Sequence, residues 1–331
     1  MEYRKLGKTD LNASVIAFGT WGLGGGSVWE DTDDAPPVGD LLDAASDCGI
    51  NYIDTAPVYG MGDSERRLGE ALKTRRERFI LQTKCSLNWR EDGGAFKYAR
   101  DGYTVYNNTG ADAIRKDVEE SLRRLGTDYL DVLVVHYVNG GWPVEETVDA
   151  MEKLIREGKI RAFGLSNSRP SDLEEYEACG DVALVQEQFS LLAPFHGNDY
   201  FPVCRRYGTT FQVYGVLEEG FLTGPEHFER RFGKNDIRTR LPWMTEPYRS
   251  GILKLYEEVW KPMCEKYQCS YANLFEAWSL AQFENMSLLT GFRRRESIED
   301  TVKCLGISLS EEDERVLSET VRGVQVRELD K

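Results

Sequence analysis

Leu130-Asp131-Val132-Leu133-Val134-Val135-His136 is a nearly continuous apolar run that ends on a histidine. A run of this kind fits a parallel strand buried on both faces, which has no solvent side to carry alternating polar residues. Similar short β-rich runs fall at residues 15–18, 51–54, 79–83, 160–165, 183–186, 210–213 and 287–290. Helical patterns separate them, at 38–48, 64–73, 111–125, 144–157, 171–178 and 201–207, with two more across 248–283. Gly49, Gly126, Gly158 and Gly208 supply C-terminal stops, and Ser64 is expected to cap the second helix. A short helix near Ser297 and a terminal one from Ser310 complete the series. Eight strands, each followed by a helical segment, predict a closed parallel α/β barrel, the (β/α)8 fold of TIM type. A β-hairpin over residues 2–14, turning at Lys8-Thr9-Asp10, precedes it, and long loops extend the C-terminal face. No linker or repeat divides residues 1–331, so one domain is expected.

Composition narrows the classes of function. With 56 acidic and 41 basic side chains, the net charge of −15 opposes binding to nucleic-acid phosphates or an anionic membrane. No apolar run approaches the roughly 20 residues that span a bilayer, and no apolar signal segment follows Met1-Glu2-Tyr3-Arg4-Lys5, so a cytoplasmic location is expected. The seven cysteines are scattered and include no Cys-x-x-Cys, and there are three histidines, so neither a disulfide framework nor a metal centre is expected.

In such a barrel the functional residues lie at the C-terminal ends of the strands. Asp54 ends strand two with Tyr59 just beyond, Lys84 ends strand three and His136 strand four. Ser166-Asn167, Gln186, Tyr214 and Gly291 end strands five to eight. Taken singly, Asp54 fits a turn cap, Tyr59 a buried aromatic and His136 a satisfied core histidine. Lys84 is harder to place that way, because lysines are rarely buried without a partner. Together the four form a proton-transfer centre. A phenol with a pKa near 10 is a slow acid at neutral pH. A neighbouring ammonium is expected to lower that value, a carboxylate to hold the ammonium, and a neutral imidazole to steady a developing oxyanion.

These residues sit in blocks that resemble the aldo-keto reductase family. The blocks are Asn51-Tyr52-Ile53-Asp54-Thr55-Ala56-Pro57-Val58-Tyr59-Gly60, Ser64-Glu65-Arg66-Arg67-Leu68-Gly69-Glu70-Ala71-Leu72 and Gln82-Thr83-Lys84. Further along come Ser121-Leu122-Arg123-Arg124-Leu125-Gly126-Thr127-Asp128-Tyr129-Leu130-Asp131, then Glu157-Gly158-Lys159-Ile160-Arg161 and Gly164-Leu165-Ser166-Asn167. The resemblance implies a nicotinamide-dependent enzyme that transfers hydride to and from carbonyl groups of aldehydes, ketones or sugars. It implies Asp54, Tyr59, Lys84 and His136 as a catalytic tetrad with Tyr59 the general acid. Ser166, Asn167 and Gln186 would bind the nicotinamide carboxamide, Tyr214 would stack on the ring, and Leu217 and Gly220 would follow the pyrophosphate. Beyond Gly291, the arginines Arg293, Arg294 and Arg295 would hold a 2′-phosphate, which favours NADP(H) over NAD(H). Ser297, as a helix cap, and Glu299 and Thr301 would lie near the adenine.

The chain departs from the family pattern in three places. Tyr214-Gly215-Val216-Leu217 replaces a usual Tyr-Ser-Pro-Leu, Thr301 replaces a common Asn or Asp, and Tyr137-Val138-Asn139 follows His136 without the common Pro-containing turn. Trp21, Trp29, Trp89 and Tyr137 are expected to wall a small-molecule substrate pocket, although such aromatics also pack loops. The segment 224–246 reads equally as a clasp over the cofactor or as a solvated loop. The alternative to an enzyme is a cofactor-binding sensor, similar to the channel-associated members of the same family.

Overall fold

The computed structural model describes residues 1–29, 36–90, 94–194 and 197–325. Its centre is a closed barrel of eight parallel strands: β1 (Ile16–Gly19), β2 (Tyr52–Asp54), β3 (Ile80–Cys85), β4 (Leu130–Val135), β5 (Ile160–Ser166), β6 (Val182–Gln188), β7 (Thr210–Tyr214) and β8 (Met286–Gly291). Each strand pairs with the next in sequence, and β8 closes on β1 through Leu288–Ile16 and Gly291–Gly19. All six residues of β4 are buried, as its apolar run requires.

Helices pack outside this ring: α1 (Val38–Asp47), α2 (Asp63–Leu72), α3 (Ala111–Leu125), α4 (Val144–Arg156), α5 (Pro170–Glu177), α6 (Gly197–Tyr207), α7 (Tyr248–Leu255), α8 (Lys261–Tyr267), α9 (Tyr271–Ala281), α10 (Arg295–Thr301) and α11 (Glu311–Thr320). Where 248–283 predicts two helices there are three. α7 runs into α8 through one wide turn, Tyr256–Trp260, beside Pro262, which has no N–H to return to the preceding turn.

Two expected caps are corrected. Ser64 lies inside α2, whose N-cap residue is Gly62; its hydroxyl joins Thr20 Oγ1 (2.8 Å) and Thr55 Oγ1 (2.9 Å), tying the helix to the loops after β1 and β2. Ser297 likewise lies within α10, whose N-cap residue is Arg294. Ser310 does cap α11, accepting a hydrogen bond from the Asp313 amide.

The hairpin Tyr3–Lys5 with Asn12–Ser14 forms as expected. Its Leu6, Leu11 and Ala13 share a cluster with barrel residues Ala17, Val132, Ala162 and Ala183, and so close the N-terminal end. The stretch after β3 is an antiparallel sheet of Leu87–Asn88, Ala95–Arg100 and Tyr103–Asn107. Asp101 and Gly102 turn it, both with positive φ.

The loops after β1 and β2 also touch backbone to backbone. A Cβ on Gly60, whose φ is +60°, would stand 2.0 Å from the Gly24 carbonyl oxygen, one residue after Tyr59. Gly60→Ala is therefore expected to destabilise the protein by more than about 1 kcal/mol, because both strain and overlap oppose the added methyl. Thermal unfolding checks this, and an unchanged midpoint would contradict the contact.

Candidate active site

Strand register delivers the four central side chains to one end of the barrel. Asp54 and Lys84 are each 1 % exposed and form a charged pair inside it, with Nζ donating to both carboxylate oxygens at 2.7 Å. Nζ also donates to the Thr55 carbonyl (2.9 Å) and the Tyr59 hydroxyl (3.1 Å). The Tyr59 and His136 rings meet edge to face, 6.1 Å between centroids.

A layer of amides supports this pair from within the barrel. Gln82 Nε2 donates to Asp54 Oδ1 at 2.6 Å and to Gln212 Oε1 at 2.9 Å. Gln186 Nε2 donates to the same two acceptors at 3.0 and 2.7 Å, and the Tyr52 hydroxyl donates to Gln82 Oε1. Gln212 was not among the sequence candidates. Its signal was a polar residue two positions before the strand-end Tyr214, hence on the same inward face.

Burial sets the protonation states. It pushes the Lys84 ammonium down against the pull of Asp54. Burial, reinforced by the Asp54 charge, pushes the Tyr59 phenol well above its ordinary value. The expected lowering by the ammonium is thus overturned: loss of solvent around the phenol outweighs one adjacent cation. His136 is held well below its usual value by burial, then by the charges of Lys84 and Lys97. At neutral pH the site therefore holds a protonated phenol and an uncharged imidazole, and the buried Nδ1 of that imidazole has no partner among the described residues.

These groups open into a cavity of about 2020 Å³. This exceeds the roughly 300–1,000 Å³ of a pocket for one small ligand and leaves room for a dinucleotide beside a substrate. Ser166, Asn167, Gln186, Tyr214, Leu217, Gly220 and Gly291 line it, as do Arg293, Arg294 and Ser297. Asn167 sits in the left-handed region (φ 51°), donating to the His136 carbonyl (2.9 Å) and accepting from the Tyr214 hydroxyl (2.8 Å). Thus the ends of β4, β5 and β7 are joined by one side chain. A large cleft lined by apolar and polar groups, the protonated Tyr59 phenol among them, fits a nicotinamide dinucleotide. Among the described residues, no group of three or more His, Cys, Asp or Glu side chains could hold a metal ion, and no helix is long and apolar enough to cross a membrane.

Trp21, Trp29 and Tyr137 line the cavity. Trp89 does not; its ring packs against Tyr103 and under Arg124. Arg295 and Glu299 also fall outside the lining, paired with each other, while Arg295 reaches Asp47 at 3.3 Å. The wall beside Arg293 and Arg294 carries two acids that sequence reasoning did not single out, Glu296 and Asp300. The inserted sheet contributes Lys97 and Tyr98; Lys97 Nζ lies 3.5 Å over the Tyr137 ring, which stacks on His136. From 224–246, Arg238 pairs with Asp236 at 2.6 Å, and the Ile237 amide donates to the Val28 carbonyl. That segment is thereby tied to the loop after β1.

Comparison with known proteins agrees with this architecture. The sequence model described as the Aldo/keto reductase family matches residues 15–321. An NADH-specific methylglyoxal reductase of Escherichia coli (strain K12) is 36% identical over 326 residues, 97% of this chain and 98% of that protein. Aldo-keto reductase YhdN of Bacillus subtilis (strain 168) is 32% identical over 95% of this chain and 92% of its own length. The solved structure of glycerol dehydrogenase AKR11B4 from Gluconobacter oxydans superposes with a TM-score of 0.85 at 29% identity, covering 99% of this chain and 97% of that one.

The buried pair yields a test that does not depend on activity. Asp54→Leu leaves the Lys84 ammonium without its carboxylate and is expected to cost about 3–5 kcal/mol. Adding Lys84→Met should restore most of that loss. Urea unfolding of both variants checks it; a double variant as unstable as the single one would contradict a paired charge.

Proposed function

The chain belongs to the aldo/keto reductase family and is a nicotinamide-dependent oxidoreductase, and on that premise we propose that it reduces small aldehydes and ketones with Tyr59 as the proton donor. A bound reduced nicotinamide supplies the hydride. The observation that carries the reading is the protonated Tyr59 hydroxyl, 3.1 Å from a Lys84 ammonium that Asp54 grips with both oxygens. Tyr59 gives its proton to the carbonyl oxygen, and Lys84 stabilises the phenolate left behind. His136, as a neutral donor, holds the same oxygen and favours its developing charge. In the reverse direction the phenolate takes the alcohol proton.

For the dinucleotide, Ser166, Asn167 and Gln186 would hold the carboxamide, Tyr214 would stack on the ring, and Leu217 and Gly220 would follow the pyrophosphate. Their common place in the lining of one cavity supports that reading. Arg293 and Arg294 favour NADP(H). The acids Glu296 and Asp300 on the same wall, and a 36%-identical relative named NADH-specific, favour NAD(H). Both forms are accepted in our reading, with the two arginines setting the share of NADP(H). The relatives' names specify methylglyoxal and glycerol, and Trp21, Trp29 and Tyr137 suit carbonyl compounds and polyols of that modest size.

Three outcomes follow. Tyr59→Phe is expected to bind the dinucleotide nearly normally and to lose about 10²–10⁴-fold in carbonyl turnover; wild-type turnover would remove Tyr59 from the chemistry. Because burial raises Tyr59 and lowers His136, neither changes charge near neutrality. The reduction rate should stay level from about pH 6.5 to 9 and fall only as the phenol ionises above that. An alkaline limb starting below pH 8 would contradict the acid assigned here. Arg294→Ala should raise the KM for NADPH about tenfold or more and leave that for NADH nearly unchanged; equal losses would refute a 2′-phosphate contact.

A further inference from the structure

Cys264 and Cys269 take no part in the centre above, yet the backbone brings them together. α8 ends with Gln268 in the left-handed conformation (φ 52°, ψ 47°), and the Cys269 amide donates back to the Cys264 carbonyl at 3.1 Å. This six-to-one closure places the side chains before and after the turn in contact. Here the two are thiols, close enough that each shifts the titration of the other. Each is half-buried, and the neighbouring Glu265, Lys266 and Gln268 are exposed, so a small molecule can approach.

The next residue touches the cavity. Ser270 caps α9, accepting from the Asn273 amide, and its hydroxyl donates to Asp300 Oδ2 at 2.6 Å. Asn273 Nδ2 donates to the Asp300 carbonyl at 2.8 Å. Ser270 and Asp300 both line the cavity, at the end that also carries Ser297 and Thr301. One peptide bond thus separates the thiol pair from the wall that would hold the adenosine half of a dinucleotide.

We propose that Cys264 and Cys269 are a redox-active dithiol that a low-molecular-weight disulfide oxidises, and that closing the bond changes the cavity's affinity for its dinucleotide. The Cys269 thiolate attacks one sulfur of the incoming disulfide, breaking its S–S bond and expelling one thiolate, which takes up a proton. The Cys264 thiolate then attacks the mixed-disulfide sulfur on Cys269 and expels the second. Two protein thiols are oxidised and two small thiols are formed. The neighbouring Cys264 thiol lowers the Cys269 thiol, which makes Cys269 the attacking group. A disulfide needs Cα atoms about 4.4–6.8 Å apart, a span within reach of two residues facing each other across one closed turn. Bridging them fixes Cys269 and restricts Ser270, and with it the Ser270–Asp300 contact. The affinity effect rests on the functional reading above; the formation of the bond does not.

The test uses the full chain, reduced and then incubated with oxidised glutathione. Peptide mapping by mass spectrometry should find a Cys264–Cys269 bond with the loss of two hydrogens. Fluorescence titration with NADPH and NADH should show the Kd of the oxidised form shifted at least about fivefold, reversed by dithiothreitol. Cys264→Ser and Cys269→Ser should each keep the affinity of the reduced form and show no glutathione-induced shift. Thiols that stay reduced, that stop at separate glutathione adducts, or that bridge without moving either Kd overturn the proposal. Reduced protein that binds neither dinucleotide instead overturns the functional reading.

Discussion

One ion pair governs the interior of this barrel. Asp54 and Lys84 are stripped of water, and two isolated charges so placed would each cost several kcal/mol. They are tolerated because every neighbour answers them. Gln82 and Gln186 donate to the carboxylate, Gln212 accepts from both amides, and the Thr55 carbonyl and the Tyr59 hydroxyl share the ammonium's hydrogens with Asp54. The layer a barrel of this kind ordinarily fills with branched aliphatics is therefore polar, and strand register cannot slip without stranding a charge.

The burial that makes the pair costly also fixes the acid–base character of the groups around it. Tyr59 and His136 are both pushed toward their neutral forms, from opposite directions, because desolvation disfavours an anion and a cation alike. The contact with Lys84 alone suggests the opposite for the phenol, since the nearest formal charge is positive. The environment, not the pairwise contact, decides the sign.

Much of the scaffold was legible in the chain. Strand runs such as Leu130–Val135 have one dominant solution, and Gly126 marks the end of α3 to the residue, with φ 63°. The strand-end positions of Asp54, Lys84 and His136 followed from those runs. What escaped depended on tertiary partners. Ser64 and Ser297 have the composition of caps, but their hydroxyl neighbourhoods and helix phases are set elsewhere. Arg295 belongs by sequence to an arginine cluster and by geometry to Asp47. The hairpin within the sheet after β3 does have a sequence signal: Asp101-Gly102 between β-prone residues is a strong two-residue turn. Glu296 and Asp300 were invisible as cavity acids because only the start of α10 at Arg295 decides which of its residues face inward.

The stack of Lys97, Tyr137 and His136 joins a peripheral insertion to the barrel's ionic centre. Loops on such a scaffold are commonly treated as interchangeable parts, grafted to alter which molecules fit while the strands retain the chemistry. Here that separation fails at one point, because the cation that shapes the wall also bears on the imidazole. A graft that replaces 87–107 would trade more than shape: it would retune the basicity of a strand-end residue that the graft never touches.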